Sequence, residues 1–124
     1  MKASDPTTPI AVWVGGARLR TLTLALGPVL LGSASAWLVS SFDLLLAILA
    51  LIVAVSLQIG VNYANDYSDG IRGTDDYRVG PARLTGSGLA EARLVKRVAI
   101  LFFLLSVAGG ALLIVLSGAW WLAI

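Results

Sequence analysis

The amino-acid sequence predicts an all-α protein, a polytopic bundle of transmembrane helices. Hydrophobic residues make up 58% of the chain and charged residues 13%, and the mean hydropathy is +0.89. Soluble domains are instead about half apolar and about a quarter charged. The apolar residues also form uncharged runs of about 20 residues, the length of helix that crosses the roughly 30 Å hydrocarbon layer. We therefore expect an integral protein of the lipid bilayer.

The first transmembrane helix is predicted over residues 21–40, a stretch without a charged side chain. Trp13, Arg18 and Arg20 precede it and are typical of interfacial anchors. The triplet at residues 34–36 also resembles a signal-peptidase site, so a cleaved signal peptide is an alternative interpretation of this run. The apolar stretch continues past the triplet, which favours a membrane span.

Two further transmembrane helices are predicted over residues 44–66 and 97–116, and the start of a fourth at about residue 119. A glycine-rich loop, residues 70–90, lies between the second helix and the third. Since the sequence stops at Ile124, shortly after the fourth helix begins, we expect a fragment of a larger protein.

The basic residues are distributed unevenly over the connections between these helices. Three of the nine precede the first helix and the other six lie between the second and the third, whereas the short connection on the other side carries only Asp43. By the positive-inside rule, the basic connections are cytoplasmic. We therefore predict a multi-pass protein of the cell membrane, with its N-terminus and the loop after the second helix in the cytoplasm.

The composition excludes several kinds of site. The chain has no cysteine and no histidine, which excludes zinc sites, thiol catalysis, histidine-ligated haem and acid–base work by imidazole for the residues present. Chemistry is left to carboxylates, amides, tyrosines and basic side chains. No nucleic-acid partner is predicted.

A stripe of polar side chains begins inside the second helix and continues to its cytoplasmic end. Its positions, i, i+4, i+7, i+8 and i+11, fall on one helical face. Ionisable groups at membrane depth are costly and usually functional, and two carboxylates at the C-terminal end of a helix are repelled by the negative pole of its dipole. Mg²⁺, which proteins hold with one or two carboxylates plus substrate phosphates, would relieve this repulsion. The stripe consists of Gln58, Asn62, Asn65, Asp66 and Asp69.

The loop after the stripe supplies arginines that suit a diphosphate. Arg72, Arg78 and Arg83 follow the carboxylates, and a guanidinium binds phosphate oxygens in a bidentate manner. Arg20 is the corresponding candidate at the first helix, with interfacial anchoring as its alternative role. The acids could instead pair with the loop arginines as a solvated, charge-balanced surface.

Three segments together carry a resemblance to a known family. The sequence NDYSDGIRGTD at residues 65–75 resembles the first aspartate-rich motif of the UbiA superfamily of intramembrane prenyltransferases. Its third aspartate, Asp75, follows Asp69 by six residues, where the wider superfamily has four. This variant, with GPARL at residues 80–84 and ARLRTL at residues 17–22, is similar to the 1,4-dihydroxy-2-naphthoate prenyltransferases of menaquinone biosynthesis.

The resemblance implies nine transmembrane helices around a central cavity, with a second aspartate-rich motif between the sixth and seventh helices. Residues 1–124 would be the N-terminal part of one transmembrane prenyltransferase domain, and we expect this part to be inactive alone. The implied reaction is the Mg²⁺-dependent transfer of a polyprenyl group from polyprenyl diphosphate to 1,4-dihydroxy-2-naphthoate, which gives demethylmenaquinone.

The resemblance also implies roles for individual residues. Asp66 and Asp69 would be catalytic and, with Asp75, would bind Mg²⁺ on the diphosphate. Amide and guanidinium groups would contact the diphosphate oxygens; these belong to Asn62, Asn65, Arg72, Arg83 and Arg20.

Three other functions fit parts of the pattern. Another UbiA-type enzyme would use a different acceptor, such as 4-hydroxybenzoate or a chlorin. A CDP-alcohol phosphotransferase shares the sequence DYSDG at residues 66–70, but Gly73 and Thr74 stand where that family has Ala-Arg. A cation transporter would also carry carboxylates on a membrane helix, but nearer the bilayer midplane.

Overall fold

The computed structural model describes residues 9–74 and 83–124, and this part of the chain is mainly helical and contains no strand. Three stretches are long and apolar enough to cross a membrane, so the predicted all-α fold class is confirmed. The α-helices are α1 (Ile10–Ala17), α2 (Thr23–Leu38), α3 (Leu44–Arg72) and α4 (Ala92–Ser117), and short 3₁₀ turns cover Leu19–Leu22 and Trp120–Ala123.

A break in the helix at residues 18–22, called the corner below, divides the first apolar stretch, Ile10–Leu38, into α1 and α2. α1 ends at Ala17, directly after two consecutive glycines, which have a low helix propensity. Arg18 then takes a left-handed conformation with φ of 53°, and the 3₁₀ turn Leu19–Leu22 leads into α2. The helix predicted over residues 21–40 is therefore shorter, Thr23–Leu38, and follows a helix that the sequence did not predict.

α3 is longer than predicted. Asp43 caps its N-terminus, where the carboxylate accepts a backbone N–H of the first turn at 2.9 Å. At the other end Gly73, rather than Gly70, adopts the left-handed conformation (φ 70°) that terminates the helix. α3 therefore continues to Arg72, beyond the predicted end at residue 66, and Gly70 is helical instead of part of the loop.

α4 begins earlier than predicted, at Ala92 rather than at residue 97, and ends at Ser117. Arg93 and Lys96 therefore lie within the first turns of the helix instead of ahead of it. Where the start of a fourth transmembrane helix was predicted, the chain forms a single 3₁₀ turn.

Small residues bring α3 and α4 into close contact along their length. Gly60 receives the ring of Phe103, which would lie 2.8 Å from a Cβ at that position. Gly109 lies against Val53 in the same way, and the Ser106 hydroxyl donates to the Val53 carbonyl oxygen at 3.1 Å. Such small residues are what allows membrane helices to pack closely.

The most buried cluster of apolar side chains lies at the end of the bundle that carries the polar stripe. It joins α1, α3 and α4 to the loop residues that precede α4. Along the spans, many large apolar side chains are exposed, as a helix that faces lipid requires. The cluster comprises Ala17, Tyr63, Leu84, Ala90, Val95 and Ala99.

Candidate active site

Asp66 lies at the centre of the polar end of α3. The residue is only 2% exposed. Its Oδ2 accepts the backbone N–H of Leu84 at 3.0 Å, and its Oδ1 accepts that of Thr85 at 2.9 Å. Hydrogen bonds to an ionised carboxylate are roughly twice as strong as neutral ones. The two bonds therefore anchor the loop segment 83–90 to α3.

The anchored segment also packs against α1. Leu84 is fully buried and fills the space above Gly16, where a Cβ would collide with the leucine side chain and lie 2.8 Å from Cε1 of Tyr63. The missing side chain at Gly16 is thus what lets the loop lie in the angle between α1 and α3.

A second close approach fixes the next part of the segment. A Cβ on Gly70 would collide with the side chain of Thr85 and lie 3.0 Å from the backbone nitrogen of Gly86. The segment is closed on itself by the Ala90 N–H, which donates to the Leu84 carbonyl oxygen at 3.0 Å. The loop that carries Leu84 and Thr85 is therefore held by α3 over more than one helical turn.

Asp69 follows Asp66 by one turn and pairs with Arg83. Its Oδ2 lies 3.1 Å from Nη1 of Arg83, whose side chain is mostly buried, whereas the Asp69 side chain is 36% exposed. An ion pair with this much solvent access contributes only about 0–1 kcal/mol to stability. The pair therefore matters less for stability than for geometry, because it places an arginine beside a carboxylate that solvent can reach.

Asn62 lies one turn before Asp66 and points at the corner between α1 and α2. The residue is 3% exposed. Its Nδ2 donates to the Ala17 carbonyl oxygen and to Oγ1 of Thr21, each at 2.8 Å. The side-chain amide, which was predicted to contact a diphosphate, is thus engaged with the corner.

The neighbouring residue on α3 holds α1 as well. The hydroxyl of Tyr63 donates to the Trp13 carbonyl oxygen at 2.6 Å, and its ring lies between those of Trp13 and Phe102, with centroids 5.8 Å and 6.0 Å away. On the outer side, Nζ of Lys96 lies 5.6 Å above the ring of Tyr67. Aromatic rings from α1, α3 and α4 therefore pack together next to the site.

The remaining predicted residues are further from these contacts. Asn65, Arg72 and Arg20 are exposed side chains at the same end of the molecule as the carboxylates. Asp75, like Arg78, lies outside the described residues. Within residues 9–74 and 83–124, no group of three or more acidic side chains converges to hold a metal ion, so the three-aspartate site stays a prediction.

The donors that the site does contain are compatible with Mg²⁺. Asp66 and Asp69 are hard oxygen donors one turn apart on α3, and Mg²⁺ is commonly bound by one or two carboxylates together with substrate phosphates and water. A carboxylate oxygen has two lone pairs, so the amide bonds to Asp66 leave each of its oxygens one acceptor position. The residues present therefore fit the cation.

The fold and the site define a polytopic helical membrane protein in which paired carboxylates and an arginine meet at one end of the bundle. The curated relatives of the chain are all described as 1,4-dihydroxy-2-naphthoate octaprenyltransferase. The relative from Mycobacterium tuberculosis is 55% identical over 115 residues, which is 92% of this chain and 39% of the relative. The relative from Mycobacterium leprae is 53% identical over 110 residues, which is 89% of this chain and 37% of the relative.

A more distant relative has the same description. The protein from Escherichia coli is 39% identical over 106 residues, which is 85% of this chain and 34% of the relative. The chain thus spans well under half the length of the relatives it matches. No family model and no solved structure matches it. The resemblance to the 1,4-dihydroxy-2-naphthoate prenyltransferases that the motifs indicated is confirmed.

Proposed function

We infer that the chain is the N-terminal part of a membrane transferase for menaquinone biosynthesis, one that moves a polyprenyl group from polyprenyl diphosphate to 1,4-dihydroxy-2-naphthoate and gives demethylmenaquinone in its hydroquinone form. The observation that carries this proposal is the 55% identity, over 92% of the chain, to a relative named for that acceptor and for prenyl transfer. The reaction joins a water-soluble aromatic acid to a lipid, which suits a site at the end of a membrane bundle.

The site residues have distinct roles in this proposal. Asp66 and Asp69, with Asp75, would hold Mg²⁺, which when bound neutralises charge on the diphosphate leaving group. The amides of Leu84 and Thr85 keep the Asp66 carboxylate in one orientation. Arg83, which pairs with Asp69, would donate to the diphosphate oxygens, and Asn65, Arg72 and Arg20 would supply further donors.

Arginine donors act where negative charge develops. As the allylic C–O bond breaks, its electron pair goes to the diphosphate, and the guanidinium of Arg83 stabilises the charge that appears there. The naphthoate carbon that carries the carboxylate then forms the new C–C bond, and the carboxylate leaves as CO₂. The stacked rings of Tyr63 and Phe102 would limit the access of water to this site from the membrane.

An apolar groove between α3 and α4 suits the prenyl chain. It has a volume of about 330 Å³, and the hydroxyl of its one polar residue, Ser56, donates to the backbone of its own helix. Ile59 at its near end precedes Asp66 by seven residues, or about 10 Å along the helix. A diphosphate at Asp66 could therefore extend its tail along this groove, which is lined by Leu51, Ile52, Val55, Ser56, Ile59, Phe102 and Leu105.

An acceptor panel tests the proposal. The complete transferase, reconstituted in vesicles with Mg²⁺ and radiolabelled polyprenyl diphosphate, is expected to prenylate 1,4-dihydroxy-2-naphthoate in preference to 4-hydroxybenzoate or a chlorin. Transfer to another acceptor alone would replace the substrate assignment. Ion flux across the same vesicles without any transfer would favour a cation transporter.

The proposal also covers location and completeness. Because the chain spans 34–39% of the length of its relatives, we expect residues 1–124 to be inactive by themselves. The N-terminus and the carboxylate end of α3 would face the cytoplasm of a multi-pass protein in the cell membrane.

A further inference from the structure

We propose that Asn62 is a positioning residue for the diphosphate site, one that holds the corner between α1 and α2 against α3 and thereby fixes the location of Arg20. The proposal depends on the proposed function, since it concerns how that site is assembled. It assigns the two N–H donors of the Asn62 amide to Ala17 and Thr21 at the corner rather than to the diphosphate.

The hydrogen bonds of Asn62 carry the proposal. A side-chain amide nitrogen has two N–H donors, and those of Asn62 are directed at Ala17 O and Thr21 Oγ1, both at 2.8 Å. Thr21 extends this hydrogen-bond network to Arg18, because its hydroxyl donates to Arg18 O at 2.9 Å. The amide is buried, so both donors are used within the fold and a phosphate oxygen would have to displace one of these bonds.

The corner is a part of the fold that needs such support. α1 ends there, Arg18 adopts a left-handed conformation that is unfavourable for a residue with a side chain, and the following residues form a 3₁₀ turn instead of an α-helix. A backbone of this kind persists only where neighbouring groups hold it. The Asn62 amide binds both sides of the break, Ala17 before it and Thr21 after it.

Arg20 lies inside the segment that these bonds enclose. Its side chain is exposed and extends from the 3₁₀ turn, between the two residues that the Asn62 network contacts, Arg18 and Thr21. Asn62 is also one helical turn from Asp66 on α3. The side chain that holds the corner is thus on the same helix as the carboxylates, and a loosened corner would move Arg20 while leaving Asp66 and Asp69 in place.

Asn62→Asp in the complete transferase tests this role, because it keeps the size of the side chain and removes both donors. We expect the KM for polyprenyl diphosphate to rise about tenfold, as for the loss of one hydrogen bond to a charged group, with kcat reduced less than twofold. Thr21→Val removes one of the two acceptors and should shift KM in the same direction. Ser35→Ala is the control, since that exposed hydroxyl donates to Leu31 O within α2, at 2.9 Å and away from the corner, and it should stay within twofold of the wild type.

A double-mutant cycle separates positioning from direct contact. If Asn62 acts through Arg20, Asn62→Asp should have little further effect on KM once Arg20→Gln is present. If Asn62 itself binds the diphosphate, the two effects should multiply, and that result would overturn the proposal. The proposal would also be overturned if Asn62→Asp changed both kcat and KM and reduced the amount of folded protein equally with and without Arg20→Gln. That result would indicate a general structural role for Asn62.

A distance measurement provides a readout that does not depend on the reaction. The chain has no cysteine of its own, so spin labels can be introduced at the exposed positions Leu19 and Ile71, with any other cysteine of the complete protein removed. Pulsed electron paramagnetic resonance should give a narrow distance distribution that Asn62→Asp and Thr21→Val broaden. An unchanged width of the distance distribution in both variants would reject the positioning role, whatever reaction the complete protein catalyses. A broadened distribution in a protein that transfers no prenyl group would reject only the proposed function.

Discussion

The carboxylate of Asp69 and the guanidinium of Arg83 lie 3.1 Å apart and join the last turn of α3 to the loop that leads to α4. The two residues are fourteen positions apart in the sequence, so the fold, rather than the local sequence, brings them together. This pairing places a guanidinium, the kind of group that binds phosphate oxygens in a bidentate manner, next to a carboxylate that solvent can reach.

Arg83→Gln should raise the KM for polyprenyl diphosphate about tenfold or more, because a hydrogen bond to a charged group contributes roughly 1.5–3 kcal/mol. Arg83→Lys should recover only part of this loss, since an ammonium lacks the planar fork of a guanidinium. Steady-state transfer assays at varied prenyl diphosphate measure both. Arg93→Gln, at an exposed position in α4, is the control, and an unchanged KM in Arg83→Gln would remove Arg83 from the site.

Asp66→Asn and Asp69→Asn should both abolish Mg²⁺-dependent transfer but should differ in their effect on the loop. The Asp66 carboxylate now accepts two backbone N–H groups, those of Leu84 and Thr85. In Asp66→Asn, the NH₂ group of the side chain would face one of these N–H groups and leave it without an acceptor. The loss of this hydrogen bond should destabilise the loop by about 1–3 kcal/mol. Hydrogen exchange of the Leu84 and Thr85 amides should therefore accelerate in Asp66→Asn alone. Full activity in either variant would contradict the metal assignment.

Removal of divalent cations should stop the reaction without unfolding the protein. The two carboxylates have partners within the fold, since Asp66 accepts two backbone amides and Asp69 pairs with Arg83, so we expect the helices to stay folded when the cation is removed. Chelation followed by addition of Mg²⁺ should restore transfer, with helicity by circular dichroism constant throughout. Transfer that continues in excess chelator would rule out a dissociable metal cofactor.

Gly16→Ala should destabilise the protein by about 1–3 kcal/mol, the usual effect of overpacking. The new methyl group would collide with Leu84 and approach Tyr63 within 2.8 Å, so the loop would be pushed away from the site. Gly15→Ala is a matched control, because a Cβ there meets nothing within 4 Å, and alanine is favoured over glycine in a helix by up to about 1 kcal/mol. Thermal unfolding in detergent should separate the two, and equal stability would show that Leu84 does not pack against α1 as described.

Single cysteines should reveal the orientation of the bundle. Ser41 lies in the connection between α2 and α3, and Ser87 lies in the loop before α4; both are exposed. In intact cells, a membrane-impermeant maleimide should label Ser41→Cys and leave Ser87→Cys unlabelled until the membrane is broken. The reverse pattern would invert the predicted topology.

The membrane spans could be predicted because they depend on apolar length alone, but their ends could not. Whether α3 stops before Gly70 or Gly73 depends on which glycine takes the left-handed conformation, and both are possible in the sequence. Gly70 stays helical, with Thr85 packed directly against it, and Gly73 takes φ of 70°. Tertiary contact thus decided a boundary that local sequence left ambiguous.

The polar residues of the site were identified from their helical spacing, but their partners were not. The groups that bind Asp66 are backbone amides, which every loop possesses and no side-chain pattern reveals. Asn62 contacts a carbonyl 45 positions away, at the corner between α1 and α2, and the sequence did not predict α1. Spacing along one helix therefore predicted which side chains share a face, while the opposing surface required the fold.

The length of α3 has a consequence for how a lipid substrate is handled. Asp66 is 22 residues from the first residue of the helix, about 33 Å at 1.5 Å per residue, just past the thickness of the hydrocarbon layer. A prenyl diphosphate could therefore react with its anionic headgroup in water and its tail still dissolved in the membrane. Catalysis of this kind would not require the protein to pull the prenyl chain out of the membrane.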